Sequence, residues 1–453
     1  MTENKMGIMP VNKLVVTMSA PIIVSMLVQA LYNIVDSVFV GMINEQSLTA
    51  VSLAFPVQNL MIGFATGTAV GMNALVSRSL GEKNFKRANA VGENGVFLAL
   101  LSFIAFMIFG IFGSRLFMRS QTEIDYIISN GTNYLQVVCG LSVGIFFEIS
   151  FERLLQSTGR TVYTLFTQGS GAVLNIILDP IFIFVLKMGV RGAAVATVIG
   201  QIAAAVIAIL INKYKNPELT LDFRKFRPSG KLIGEIYKIG IPSIIMVAIG
   251  SVMTYLMNRI LILYTPGKET SATVFGAYFK LNSFFFMPMF GLNNGVVPII
   301  AYNYGARKRD RMMKAISLSM IYAEAFCFIG AALFLLIPDK LLGFFSASEQ
   351  MLEIGVPALR IIALSFFFAG ICISLGSAFQ SLGKSIFSMI TSIIRQLVVL
   401  VPAAYILARY GMNVGNQDLV WWCYPIAEVF SLAVTLICFR RLKRNVIDRI
   451  EDE

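Results

Sequence analysis

The sequence contains no histidine. This removes Ser-His-Asp and Cys-His catalysis, histidine-ligated metals and histidine proton relays. Any proton chemistry must then run on carboxylates, with Tyr or Lys in support. Charge is scarce as well: 14% of residues are charged, against roughly 25% in a soluble domain. The cysteines, Cys139, Cys327, Cys372, Cys423 and Cys438, lie scattered in apolar stretches with no CxxC or CxxH spacing. Neither a zinc site nor a disulfide framework is suggested. There is no Walker A or other phosphate loop, so a nucleotide site on this chain does not supply the energy.

What the sequence has in abundance is apolar surface. Of 453 residues, 57% are apolar, and the mean hydropathy is +0.75. A soluble protein of this length cannot hide that much, which excludes disorder and a small disulfide scaffold and argues against a soluble enzyme. A spanning helix takes ~20 apolar residues. Twelve such segments can be placed, at about 14–40, 48–76, 90–113, 125–150, 161–186, 193–211, 238–264, 271–304, 315–337, 353–378, 386–408 and 418–439. The expected fold class is an all-α polytopic membrane protein. The first segment follows Lys13 without a small-residue cleavage site and reads as a retained helix. Pro56, Pro288 and Pro298 interrupt the two long segments, where kinks are expected.

The net charge of +12 would hint at nucleic acid in a soluble protein. Here it reads as a topology signal. With a cytoplasmic N-terminus, 26 Lys and Arg fall inside and 7 outside: Arg115, Arg119, Lys187, Arg191, Lys268, Lys340 and Arg409. Both termini are therefore expected in the cytoplasm, with the chain in the cell membrane and no nucleic-acid partner. Trp421 and Trp422 fit an interfacial anchor. The longest polar stretch, 212–237, carries Lys213, Lys215, Arg224, Lys225, Arg227 and Lys231. Its last part, 230–237, reads either as a short helix on the inner membrane surface or as a solvated loop.

The two halves repeat. Gly67, Gly71 and Gly81 stand 224 residues before Gly291, Gly295 and Gly305, and each set precedes a basic loop. The 156–160 stretch, Gln-Ser-Thr-Gly-Arg, repeats at the same offset as Gln-Ser-Leu-Gly-Lys in 380–384, and Pro21 answers Pro242 at an offset of 221. Six plus six helices in one orientation make a parallel repeat with a site between the halves, a transporter architecture. The expected organisation is an N-terminal six-helix bundle over 1–212, a cytoplasmic linker over 213–237, a C-terminal bundle over 238–439 and a basic cytoplasmic tail over 440–453.

Ionisable groups inside a bilayer are costly and usually functional. Gln29, Tyr32, Asn33 and Asp36 follow i, i+3, i+4, i+7 spacing and form one polar stripe on an apolar helix. Alternatively, Asp36 sits among headgroups at the helix end. Asn175 and Asp179 share a face at i, i+4, and Pro180 opens the helix at the carbonyl of Ile176; a plain kink with a capping Asp is the other reading. Carboxylates and an amide suit Na⁺ or H⁺ equally. The repeat has not kept these acids, since Met257 and Ala403 stand opposite. The second half carries Glu324, Glu428, Arg259, Lys280, Arg360 and Arg395, which are expected mainly to pair or to snorkel. Glu148, Glu152 and Arg153 read as a local salt-bridge cluster first and a gate second. A wall including Phe279, Phe284, Phe285, Phe286, Met287 and Met289 would suit bulky, varied ligands.

With these residues assembled, the chain resembles the MATE (multidrug and toxic compound extrusion) transporters over nearly its full length. The resemblance rests on the 6+6 arrangement, on 32–41 (YNIVDSVFVG), 174–180 (LNIILDP), 192–197 (GAAVAT) and 297–303 (VPIIAYN). The nearest flavour is the prokaryotic multidrug-exporter branch that includes damage-inducible members. It implies two pseudo-symmetric six-helix bundles in a V, and export of cationic amphipathic compounds in exchange for H⁺ or Na⁺, with no other cofactor. By motif position it implies a cation site at Asp36, Asn175, Asp179 and Thr197, with Tyr134; the stripe and wall residues Gln29, Tyr32, Asn33, Phe279 and Met287 are the candidate substrate-cavity residues. Small cationic molecules and the bilayer are the expected partners of a monomer. The acid used in segment seven by another bacterial branch is missing, with Met257 and Asn258 in that region and Glu428 as a candidate substitute. A flippase for a lipid-linked precursor is the alternative function, and an intramembrane enzyme is disfavoured because no nucleophile–base pair is visible.

Overall fold

The computed structural model describes residues 4–224, 226–265, 268–345 and 347–450. Among them there is no strand. The chain runs α1(Lys5–Ile8), α2(Val11–Gly41), α3(Glu45–Gly81), α4(Phe85–Phe112), α5(Ser114–Gln121), α6(Asp125–Gly140), α7(Val143–Ser157), α8(Val162–Pro180), α9(Val190–Lys215), α10(Gly230–Tyr264), α11(Lys268–Gly305), α12(Arg309–Leu336), α13(Pro338–Gly343), α14(Glu349–Ser381), α15(Ser385–Ile393), α16(Val401–Val414) and α17(Cys423–Asn445). Among the described residues, eleven helical spans are long and apolar enough to cross a membrane. A twelfth is formed if α6 and α7, bent by 43°, count as one.

That bend falls at Leu141 and Ser142, where no proline marks it. Pro21, Pro56, Pro288 and Pro298 all lie inside continuous helices, so the prolines of α3 and α11 do not end a helix. A helix in a bundle can re-satisfy the carbonyl that proline frees; in α2, for example, Ser25 Oγ donates to Pro21 O at 2.9 Å. Residues 230–237 are the first two turns of α10 rather than a separate surface helix, because Ile236 is buried in the core. Residues 440–445, expected in a tail, continue α17. Trp421 is fully buried and Trp422 is 42% exposed, so the first of the pair is a core residue, not an anchor. Lys225 lies outside the described residues.

The repeat is visible in the backbone. Lys83 (φ 55) and Arg307 (φ 54) are both left-handed, as are Gly159 (φ 83) and Gly383 (φ 70). The hydrogen bonds that close these turns also match: Asn84 N–H to Ser79 O (2.8 Å) answers Lys308 N–H to Asn303 O (2.9 Å). Arg160 N–H to Leu155 O (2.7 Å) answers Lys384 N–H to Phe379 O (2.8 Å).

The repeated glycines mark where the lobes meet. A Cβ on Gly67 would press on Ile244, and one on Gly291 on Ile23. A Cβ on Gly81 would overlap Tyr302 O, and one on Gly305 would overlap Arg78 O. These are two-fold-related pairs, since each partner is displaced by the repeat's own offset. Only residues without a side chain let backbones approach this closely. All these contacts lie towards one end of the helices, the end that carries both chain termini: Asn303 Nδ2 reaches Met6 O at 3.1 Å, and Arg309 pairs with Asp448 at 2.5 Å. We call this end the terminal face.

Candidate functional site

Four helices of the first lobe build the candidate site, and a fifth supports it. Asp36 lies near the far end of α2, about 37 Å along the helix from Val11 at 1.5 Å per residue. Its side chain is half-buried, and its Oδ1 is enclosed without a hydrogen-bond partner. Asp179 on α8 is fully buried, and its carboxyl lies close enough to the Asp36 carboxyl for the two to interact electrostatically. Two carboxylates accept but do not donate, and with both negative they repel one another.

Asn175, one turn before Asp179, is 2% exposed. With its amide turned to satisfy both ends, Nδ2 donates to Asp179 Oδ2 at 3.2 Å and the oxygen accepts the Thr197 N–H at 3.1 Å. Thr197 on α9 thereby fixes the amide. Immediately after Pro180, residues 181–185 form a π-helical turn closed by Leu186 N–H to Ile181 O at 2.8 Å. This over-wide turn follows Pro180, whereas the expected opening was one turn before it, at the Ile176 carbonyl, where α8 continues as α-helix. Tyr134 on α6 is 2% exposed, and its hydroxyl accepts from Gln58 Nε2 of α3 at 3.0 Å. Both aspartates lie within electrostatic reach of that hydroxyl. Asp36, Tyr134, Asn175, Asp179 and Thr197 are thus brought together. Gln58 was not singled out from the sequence; its signal was an amide two residues after Pro56 in an apolar segment.

The polar stripe on α2 holds as a stripe. Gln29 and Tyr32 are half-buried, and Asn33 is exposed. Tyr32 also faces Glu148 of α7, which links the stripe to a second polar group. There Thr167 Oγ1 donates to Glu152, and Gln168 Nε2 donates to its Oε2 at 2.9 Å. Arg153 donates to Gln156 Oε1 at 2.9 Å, and no ion pair within 4.0 Å joins it to Glu148 or Glu152. The expected salt-bridge cluster is therefore a hydrogen-bonded one.

The second lobe is arranged differently. Arg395 Nη1 lies 3.6 Å from Glu428 Oε2, and Glu428 is 6% exposed. Glu324 Oε2 is buried beside Gly370, without a hydrogen-bond partner. Arg259, Lys280 and Arg360 are exposed on their helices. Phe279 is 40% exposed and Met287 half-buried, while Phe285 and Phe286 pack edge-on against Phe334 and Phe366. The proposed aromatic wall is thus partly core. These residues are not brought to the Asp36–Asp179 group.

Comparison with known proteins gives one consistent result. The MatE family profile matches residues 21–181 and 242–406, two stretches whose starts differ by the 221 residues of the internal repeat. The chain is 27% identical over 452 residues to the multidrug export protein MepA of Staphylococcus aureus, covering 98% of this chain and 96% of that protein. It is 24% identical over 438 residues to MepA of Staphylococcus saprophyticus, covering 96% and 94%. Among solved structures, the outward-facing conformation of a multidrug resistance MATE family transporter of the MOP superfamily superposes with a TM-score of 0.91 at 24% identity, covering 99% of each chain. A MOP superfamily transporter from Pyrococcus furiosus superposes with a TM-score of 0.92 at 24% identity, again covering 99% of each. With two matching halves and two pseudo-symmetric lobes, the chain belongs to the MatE family of membrane transporters.

Proposed function

We propose that this protein is a secondary multidrug antiporter, exporting cationic amphipathic compounds in exchange for H⁺ or Na⁺. The observation that carries the reading is the closeness of the Asp36 and Asp179 carboxyls inside the first lobe. Such a pair is stable with one proton or one monovalent cation between its members, and with both negative it repels itself. It therefore exchanges a small cation for a larger organic one without leaving two bare charges in low dielectric. Asn175, Thr197 and Tyr134 orient and complete this group. The MepA relatives are named as multidrug export proteins, in keeping with this reading.

The termini are proposed to face the cytoplasm, on the 26-to-7 basic bias of the sequence. The lobes meet at the terminal face, so the conformation described here is then the outward-facing one. The test is efflux of ethidium from proteoliposomes under an imposed pH gradient alone and a Na⁺ gradient alone. Export driven by either gradient supports the reading and names the ion. Equal leakage with and without gradients contradicts it.

A further inference from the structure

Opposite the coupling site, on the terminal face, the two lobes enclose a cavity of about 930 Å³. From the first lobe it is lined by Arg78 at the end of α3, Glu82 just after it and Arg87 on α4. From the second it is lined by Glu235 and Lys238 on α10, Lys384 in the turn after α14 and Arg449 beyond α17. The carboxylates are already engaged. Glu82 pairs with Arg78 at 2.9 Å and with Arg87 at 3.4 Å, and Glu235 reaches across the lobes to Arg87 at 2.8 Å. Arg78 also stacks over the Tyr304 ring at 4.8 Å.

Lys238, Lys384 and Arg449 are exposed, and none has a carboxylate within 4.0 Å among the described residues. Concave walls focus the field of like charges, and three cations converging on one space with no anion of their own repel one another. The volume lies near the upper end of the ~300–1,000 Å³ of ligand cavities, too large for a single ion and suited to a group carrying several charges. The cavity also opens at the helix ends, and basic pockets between membrane-spanning helices take phospholipid phosphates.

We propose that this cavity binds a phosphate-bearing anion, either a free polyphosphate or an anionic phospholipid headgroup, and that the bound anion clasps the two lobes together at the terminal face. The clasp follows from the lining. Arg78 and Arg87 belong to one lobe and Lys238, Lys384 and Arg449 to the other, so separating the lobes dismantles the site. A ligand that binds one arrangement better shifts the population towards it. The anion therefore favours the state closed at this face, independently of which ion or drug is transported.

The test uses the purified full-length protein and the K238Q/K384Q/R449Q variant, whose changes are all at exposed positions. Pyrophosphate binding is measured in detergent by calorimetry, with sulfate at equal ionic strength as the control. Separately, spin labels at Lys86 and Lys443 report the distance between lobes in nanodiscs of phosphatidylcholine with and without phosphatidylglycerol. Expected is saturable pyrophosphate binding, or a phosphatidylglycerol-dependent gain in the short-distance population, weakened roughly tenfold or more in the variant. A response to pyrophosphate alone assigns a free polyphosphate, a response to phosphatidylglycerol alone a headgroup, and a response to both their common phosphate. No response to either, a response equalled by sulfate, or an undiminished response in the variant overturns the proposal.

Discussion

The carboxyls of Asp36 on α2 and Asp179 on α8 lie close enough to interact electrostatically, although their positions are 143 residues apart in the chain. Neutralising either should remove the titratable group while leaving the packing. Asp36→Asn and Asp179→Asn are each expected to abolish gradient-driven ethidium efflux at normal expression. Full efflux in one of them would remove that residue from the coupling role.

Tyr134 and Asn175 are supports whose loss should be partial. Tyr134→Phe leaves Gln58 Nε2 without its acceptor, and an unmet buried donor costs about 1–3 kcal/mol. Asn175→Ala removes the bond to Asp179 and frees Thr197 N–H. Both variants are expected to fold and to show weakened ion dependence of transport. Unchanged ion dependence in both would limit the site to the two aspartates.

The glycine seam gives a prediction about state. A Cβ at Gly81 or Gly305 would overlap a backbone carbonyl of the other lobe, which cannot swing aside as a side chain can. Gly81→Ala and Gly305→Ala should therefore cost about 1–3 kcal/mol of the closed arrangement, as overpacking does, and raise cysteine reactivity along the terminal face. Gly276→Ala, with nothing within 4 Å, is the matched control. Equal reactivity in all three would show that the seam yields.

Orientation is tested by external labelling on a background without the five native cysteines. Gln46 and Lys231 are both exposed. A cysteine at 46 is expected to react with an impermeant maleimide on intact cells, and one at 231 only after permeabilisation. The reverse pattern would invert the topology.

At the terminal face, Asn4 Nδ2 donates to Glu218 Oε2 at 2.6 Å, and burial pushes the Glu218 carboxyl above the usual range. A raised carboxyl pKa stabilises the fold below its unfolded value, about 4.3, and the contribution is lost as pH rises through the folded value. Glu218→Gln should therefore gain in Tm relative to the parent at pH 8 more than at pH 4. An equal offset at both would contradict the burial penalty.

Much of this was legible in the sequence. Asp36, Asn175 and Asp179 stood out because a polar residue in an apolar run must face other protein. The repeat was legible because the chain conserves its register, but its purpose as a seam was not, because Gly81 meets Tyr302 only in the folded molecule. Gln58 was missed for the same reason: its partner Tyr134 comes from a distant helix. The bend at Leu141 and Ser142 carried no proline to announce it, whereas Pro56 and Pro298 lie within helices that run on past them. Trp421 looked like an anchor because adjacency of two tryptophans does not reveal that one turns inward.

The central claim is that ion and drug compete for the Asp36–Asp179 pair. It is tested most directly by measuring equilibrium binding of ethidium to the purified protein across pH and Na⁺ concentration. The account predicts that affinity falls as the coupling ion rises, by the same factor with which ethidium weakens ion binding, and that the dependence disappears in Asp36→Asn and Asp179→Asn. Affinity independent of both H⁺ and Na⁺, with transport still driven by a gradient, would contradict it.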